Sequence, residues 1–178
     1  MSQSAWERDR HPYQPFFCEE NVWHLLASIS TPAWAVFIRA LRGPVWMTMQ
    51  RAAAPADVIG WDYHVIALMT GPARVADLDS HLPFPCPLER YLQASFPPGA
   101  PTAGRPRFRV VPAADYRVGL HTDRRHMKDA TGRWLHPPPP WPPLTPGRHD
   151  LERWLALDDA HWVDADALRG RWGGSASS

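Results

Sequence analysis

Phe16-Phe17-Cys18-Glu19-Glu20-Asn21-Val22-Trp23 hands an aromatic pair over to a helical pattern. Val22, Trp23, Leu26 and Ile29 then recur at the spacing of one helix face. The spacing predicts a helix from Cys18 to about Ile29, stopped by Pro32. Outward from it the pattern turns to strands. Ala35-Val36-Phe37-Ile38 and Val45-Trp46-Met47-Thr48-Met49 read as strands with Arg42-Gly43-Pro44 as the turn between them. Tyr63 to Met69 and Arg74 to Leu78 form a third and a fourth, turning at Gly71-Pro72. A proline-set loop, Leu82 to Pro87, leads into a short helix from Leu88 to about Phe96. After a loop from Pro97 to Pro106 come a strand, Phe108 to Val111, and a short helix, Ala113 to Leu120. His121 to Gly147 carries little regular structure, and a last helix runs from Asp150 to about Leu157. One helix followed by antiparallel strands is an α+β class. Residues 1–15 read as a loose arm, 16–172 as a single domain and 173–178 as a tail.

Composition narrows the function. The 178 residues are 44% hydrophobic and include 10 Trp and 6 Phe, enough for one domain with a real core and far from a disordered chain. A formal charge of +1, from 19 basic and 18 acidic residues, gives no field to draw in nucleic acid or a membrane surface. Two cysteines make no disulfide framework and point to a reducing compartment. Met1 to Tyr13 has no apolar run of signal-peptide length, and no stretch approaches a membrane span. A cytoplasmic protein is expected, and low net charge with a single core suggests a monomer.

Cys18 is the first chemical candidate. A thiol in the first turn of a helix sits at the positive end of the helix dipole beside free N–H groups, which lowers its pKa and supplies oxyanion donors. Its plainer role would be a small buried hydrophobe. Glu19 and Glu20 favour the helix start but oppose a thiolate, so a partner histidine must do much of the activation. His64, at the start of the third strand, can be that partner. Depending on hairpin register it faces either Asp77 or Asp79, with Cβ atoms roughly 4.5–5.5 Å apart. Either carboxylate would fix its tautomer and stabilise an imidazolium.

Other chemistry finds little support. Nine histidines invite a metal, yet no helical i, i+4 pair or Cys-x-x-Cys is present, and His121 with His126 is a weak signal. No metal or cofactor is expected, and no phosphate loop is present. Pro137 to Pro143, with Trp141 inside it, reads as a polyproline II segment that packs on its own domain. Cys86, set among prolines, reads as structural.

Taken together, several motifs resemble one family, the protein N-terminal glutamine amidohydrolases. They are Cys18 to Trp23, Trp61-Asp62-Tyr63-His64-Val65, Asp77-Leu78-Asp79, Leu82 to Cys86, Asp123 to Asp129 and Pro137 to Pro140. They fall in the family's order, from about residue 13 to Trp172, with looser similarity between Pro32 and Gly60. The resemblance implies a papain-like or transglutaminase-like α+β fold, with an antiparallel sheet and the nucleophile at the start of a packed helix. It implies a Cys18, His64, Asp77 triad and deamidation of an N-terminal glutamine to glutamate and ammonia through a thioester. In the family's eukaryotic setting this reaction feeds an N-degron pathway. The implied partner is the N-terminal segment of a protein or peptide beginning with Gln. Such a substrate brings an α-ammonium that needs a charged partner. Glu20 and Asp62 are candidates for it, with Trp61 as a packing wall. The rival readings are a papain-like cysteine peptidase, a transglutaminase-type acyl transferase, and a module that binds N-termini without turnover.

Overall fold

The computed structural model describes residues 7–99, 104–158 and 160–173. Helix α1 spans Cys18–Ala27. Strands β1 (Ala33–Ala40), β4 (His64–Met69), β5 (Arg74–Ala76), β6 (Cys86–Pro87) and β7 (Pro106–Pro112) form one antiparallel sheet in the order β6-β5-β4-β1-β7. Strands β2 (Val45–Met47) and β3 (Ile59–Trp61) pair separately as a two-stranded sheet. Helices α2 (Leu88–Ser95), α3 (Ala113–Gly119), α4 (Leu151–Leu155) and α5 (Ala165–Trp172) complete the chain. The α+β class with an antiparallel sheet is thus observed. No helix among the described residues is long and apolar enough to cross a membrane.

Successive side chains of a strand point to opposite faces, and in β1 both faces are covered. Ala35 and Phe37 join Val65, Ala67 and Met69 of β4 in a core closed by α1, α3 and α4. Val36 and Ile38 join Ile66 and Leu68 in a second core, closed by Tyr91 and Leu92 of α2 and Leu168 of α5. Every residue of β4 is buried, so its continuous apolar run reflects a central strand packed on both sides. α1 therefore lies against the strand that begins with His64.

Several expectations are revised. Arg42-Gly43-Pro44 does not close a β1–β2 hairpin, because β2 leaves the main sheet to pair with β3. β3 was not legible: three residues with a glycine at the centre give no alternation to read. That glycine is nonetheless required, since a Cβ on Gly60 would come within 2.9 Å of Pro44 and 3.0 Å of Trp46. α5 was also missed, its pattern being short and largely polar; Asp164 caps it by accepting the Ala167 N–H. Of the arm, residues 1–6 lie outside the described residues, as do 174–178 of the tail and 100–103 of the predicted loop. Residues 7–15 are held against the domain: the Arg8 guanidinium donates to the Leu82 carbonyl, and the Gln14 side chain donates to that of Pro137.

The irregular segment from His121 to Gly147 contains a single 3-10 turn, Arg125–Met127. It is fixed to α1 by a buried ion pair. Arg124 donates from Nε and Nη2 to the two oxygens of Glu20, each at 2.7 Å, and Trp141 Nε1 adds a third donor at 2.9 Å. Both charged side chains are almost fully buried. Removing one partner strands the other charge. Arg124→Met is therefore expected to cost about 3–5 kcal/mol of stability, read as a lowered urea midpoint. A midpoint equal to the wild type would show that the pair does not hold this segment.

Candidate active site

Phe16 has a positive φ of 70° and Phe17 precedes the first helical turn, so the chain enters α1 through a sharp bend. The bend places Cys18 against the first residues of β4, where a backbone hydrogen bond from Val65 reaches the thiol. A cavity of about 390 Å³ opens here. Cys18, His64, Asp79, Tyr63 and His126 supply its polar wall, with Asp62 and Glu152 at its edge. Phe16, Trp61, Met127, Leu135, His136, Leu151 and Leu155 supply the rest. The Phe16 ring stacks on His136 at 3.7 Å and meets Trp61 edge-on at 5.7 Å, so three aromatic groups form one continuous wall.

His64 Nε2 lies 3.1 Å from Asp77 Oδ1, and both side chains are buried. The approach is off the N–H axis, so it is an ion-pair contact and not an aligned hydrogen bond. Asp77 is itself held by Tyr91 O–H on Oδ2 at 2.8 Å and by the Asp79 backbone N–H on Oδ1 at 2.9 Å. The hairpin behind this contact pairs Ala67 with Ala76 and Leu68 with Val75. Extended, that register would oppose His64 to Asp79. The ladder instead ends at Ala76, the chain turns, and Asp77 reaches the imidazole. His64, Asp77 and Asp79 have ligand atoms within 4.8 Å of one another, the one such group among the described residues with the donor types for a cation. Both oxygens of Asp77 already accept hydrogen bonds from the protein.

On the other side of the thiol lies a second buried carboxylate. Cys18 Sγ is 3.7 Å from Glu19 Oε2, which also accepts from Tyr63 O–H at 3.1 Å. His126 Nε2 is 3.2 Å from Glu19 Oε1 and 3.3 Å from the Tyr63 oxygen, and Tyr116 O–H donates to the Glu19 carbonyl. From the sequence, Glu19 favours the helix start and opposes a thiolate, but Tyr63, His126, Tyr13 and Tyr91 do not emerge as its neighbours or those of Asp77 and Asp79. Their partners are 14 to 107 positions away in the chain, and no local spacing records them.

The field is strongly negative. Burial, then Glu19 and Asp79, hold the Cys18 thiol well above its ordinary pKa, against the Val65 N–H. The helix-start expectation of an acidified thiol is thus overturned: removal from water and adjacent carboxylates outweigh the helix dipole. For His64, burial alone would disfavour the imidazolium, but Asp77, with Asp79 and Glu19, raises its pKa overall. Burial opposes ionisation of Asp77 too, yet His64, Tyr91 and the Asp79 N–H leave its pKa below the usual carboxylate range. Asp79 is pushed up to about 6 by burial and by Asp77.

The residues expected to meet an α-ammonium separate. Trp61 and Asp62 line the cavity, Asp62 exposed. Glu20 does not: it is fully buried, and its oxygens are occupied by Arg124 and Trp141.

A profile of the N-terminal glutamine amidase family matches residues 13–173. The chain is similar to the protein N-terminal glutamine amidohydrolases of Bos taurus and Homo sapiens, each 35% identical over 168 residues, covering 85% of this chain and 80% of the relative. The Danio rerio protein of the same name is 36% identical over 161 residues, covering 82% and 79%.

Asp77 is the largest single charge favouring the His64 imidazolium. Asp77→Asn is expected to lower the His64 pKa, followed by the imidazole nitrogen resonances across pH. A midpoint unchanged from the wild type would remove Asp77 as the controlling charge.

Proposed function

The chain belongs to the N-terminal glutamine amidase family, and from that premise we propose that it deamidates the N-terminal glutamine of proteins or peptides, with Cys18 as nucleophile. The observation that carries the reading is a cysteine in the first helical turn, set in a cavity with a buried histidine–aspartate pair. A papain-like or transglutaminase-like arrangement, a monomer and a cytoplasmic location belong to the same reading. It draws support from α1 packing on the strand that carries His64.

In this reading Asp77 occupies Nε2 of His64, leaving Nδ1 to exchange a proton with the thiol. The resting thiol is protonated, so its ionisation is coupled to transfer onto His64. The thiolate attacks the carboxamide carbon of the substrate glutamine, forming a C–S bond and an oxyanion. The backbone N–H of Cys18, in a helical turn without an intrahelical acceptor, is one donor to that oxyanion. His64 then returns the proton to the leaving nitrogen, the C–N bond breaks, and ammonia departs from a glutamyl thioester. Water, deprotonated by His64, attacks the thioester carbonyl; glutamate forms and the thiol regains its proton. Trp61 and Phe16, which line the cavity, would flank the aliphatic part of the side chain.

Ammonia release is expected from a peptide with N-terminal Gln and not from matched peptides with N-terminal Asn, N-acetylated Gln or internal Gln. Peptide cleavage, or incorporation of an added amine, would favour the peptidase or transglutaminase reading; binding without turnover would favour a recognition module. Cys18→Ala is expected to abolish ammonia release while keeping the wild-type circular dichroism. Undiminished turnover in that variant would remove Cys18 as nucleophile.

A further inference from the structure

A free N-terminus differs from an internal residue by one positive charge, and its recognition needs a carboxylate that is not already neutralised. Five carboxylates stand near the cavity besides Asp77, the direct partner of His64. Glu19 already accepts from Tyr63 O–H and faces His126 at 3.2 Å. Glu20 is saturated by Arg124 and Trp141. Asp62 is exposed, and the Glu152 side chain is 75% exposed and paired with His149; water and salt screen the attraction of such groups. Asp79 is different. It lines the cavity, yet only 7% of its surface is exposed. Tyr13 O–H donates to its Oδ1 at 2.8 Å, and no cationic group lies within 4.0 Å of its oxygens among the described residues. Its backbone N–H is fixed on Asp77, so the side chain is pre-placed beside the reacting centre. A buried carboxylate in that state lacks the cation that would repay its desolvation.

We propose that Asp79 is the receptor for the α-ammonium group of the substrate's first residue. The inference rests on the amidase reading and adds the group that makes it specific for chain ends. Four bonds separate the α-nitrogen of glutamine from its carboxamide carbon, a reach of about 5 Å. Cys18 and Asp79 line the same cavity, and that reach is the span the assignment requires between an ammonium at Asp79 and a carbon at Cys18. The charge of Asp79 already acts on that thiol. Binding the ammonium offsets it, so docking of the correct end also eases ionisation of the nucleophile. Substrates without the ammonium leave Asp79 buried and unpaired, or force a proton onto it.

The groups facing Asp79 are Cys18 from α1, His64 from β4, Tyr91 from α2, Tyr13 from the N-terminal segment, and Arg51 and Asp77 from the adjoining loops. All of them see a substrate with or without its α-amine. The test is therefore a double comparison. The affinity of a Gln-initiated peptide and of its desamino counterpart, identical but lacking the α-amine, is measured by calorimetry on Cys18→Ala protein, with and without D79N. The amine is expected to improve binding by about 30-fold or more when Asp79 is present, and the advantage is expected to vanish in D79N. In protein with Asp79 intact, the advantage is also expected to fade as pH falls through about 6, a measurement that stands if D79N does not fold. A preference that survives in D79N or persists below that pH, or one that D62N erases instead, overturns the assignment. Lack of ammonia release from any Gln-initiated peptide by the wild-type protein would count against the amidase reading itself, an outcome distinct from these.

Discussion

Two carboxylates, Glu19 and Glu20, lie fully buried in the first turn of the helix that carries Cys18, and the site is built around the need to compensate them. Buried charge must be paired and hydrogen-bonded. The helix itself offers first-turn N–H groups and a favourable dipole, but the side-chain partners come from elsewhere. Arg124, His126 and Trp141 reach Glu20 or Glu19 from the irregular segment, and Tyr63 comes from the turn before β4. Compensating these charges thus recruits the segment that supplies His126, Met127, Leu135 and His136 to the cavity wall. A stretch with almost no backbone ladder of its own is held by the charge it neutralises. Arg124 takes a positive φ of 66° to do so, a conformation uncommon for a non-glycine residue.

The same burial sets the chemistry. Glu19, Asp77 and Asp79 surround one thiol and one imidazole, and their combined field works against a resting thiolate while it favours a charged His64. A thiol so placed stays protonated until charge in the cavity changes. Such a field disfavours a free thiolate at Cys18. Because carboxylates crowd the site, a cationic ligand is the kind that relieves it, which agrees with a substrate bearing a free amine.

The pairing of β4 and β5 shows how far local reasoning reaches. The hairpin, its turn and both candidate aspartates were legible, because alternation and Gly71-Pro72 are local signals. Which aspartate meets His64 was not: the observed register, extended, favours Asp79, and only the end of the ladder at Ala76 brings Asp77 into contact. Likewise the helix at Cys18 was legible from its apolar spacing, whereas the state of its thiol was not. The dipole is a property of the helix, but desolvation and the positions of Glu19 and Asp79 belong to the packed molecule. β3 and α5 escaped for a simpler reason, being too short or too polar to carry a periodic signal.

By itself, the sequence determined the α+β class, the helix that begins at Cys18, the strand that carries His64, and the ordered motifs by which the family is recognised. These are local or collinear, written in spacings that any folded context must respect. Tertiary structure alone decided the sheet order, the departure of β2 and β3 from the main sheet, and the division of labour among carboxylates. Glu20 became an anchor, Glu19 a buried hub, Asp77 the partner of His64, and Asp79 a buried acid facing the cavity with no ion-pair partner within 4.0 Å among the described residues. Four residues of the same chemistry took four roles because burial and partners distant in the chain, and not residue type, set what a carboxylate can do.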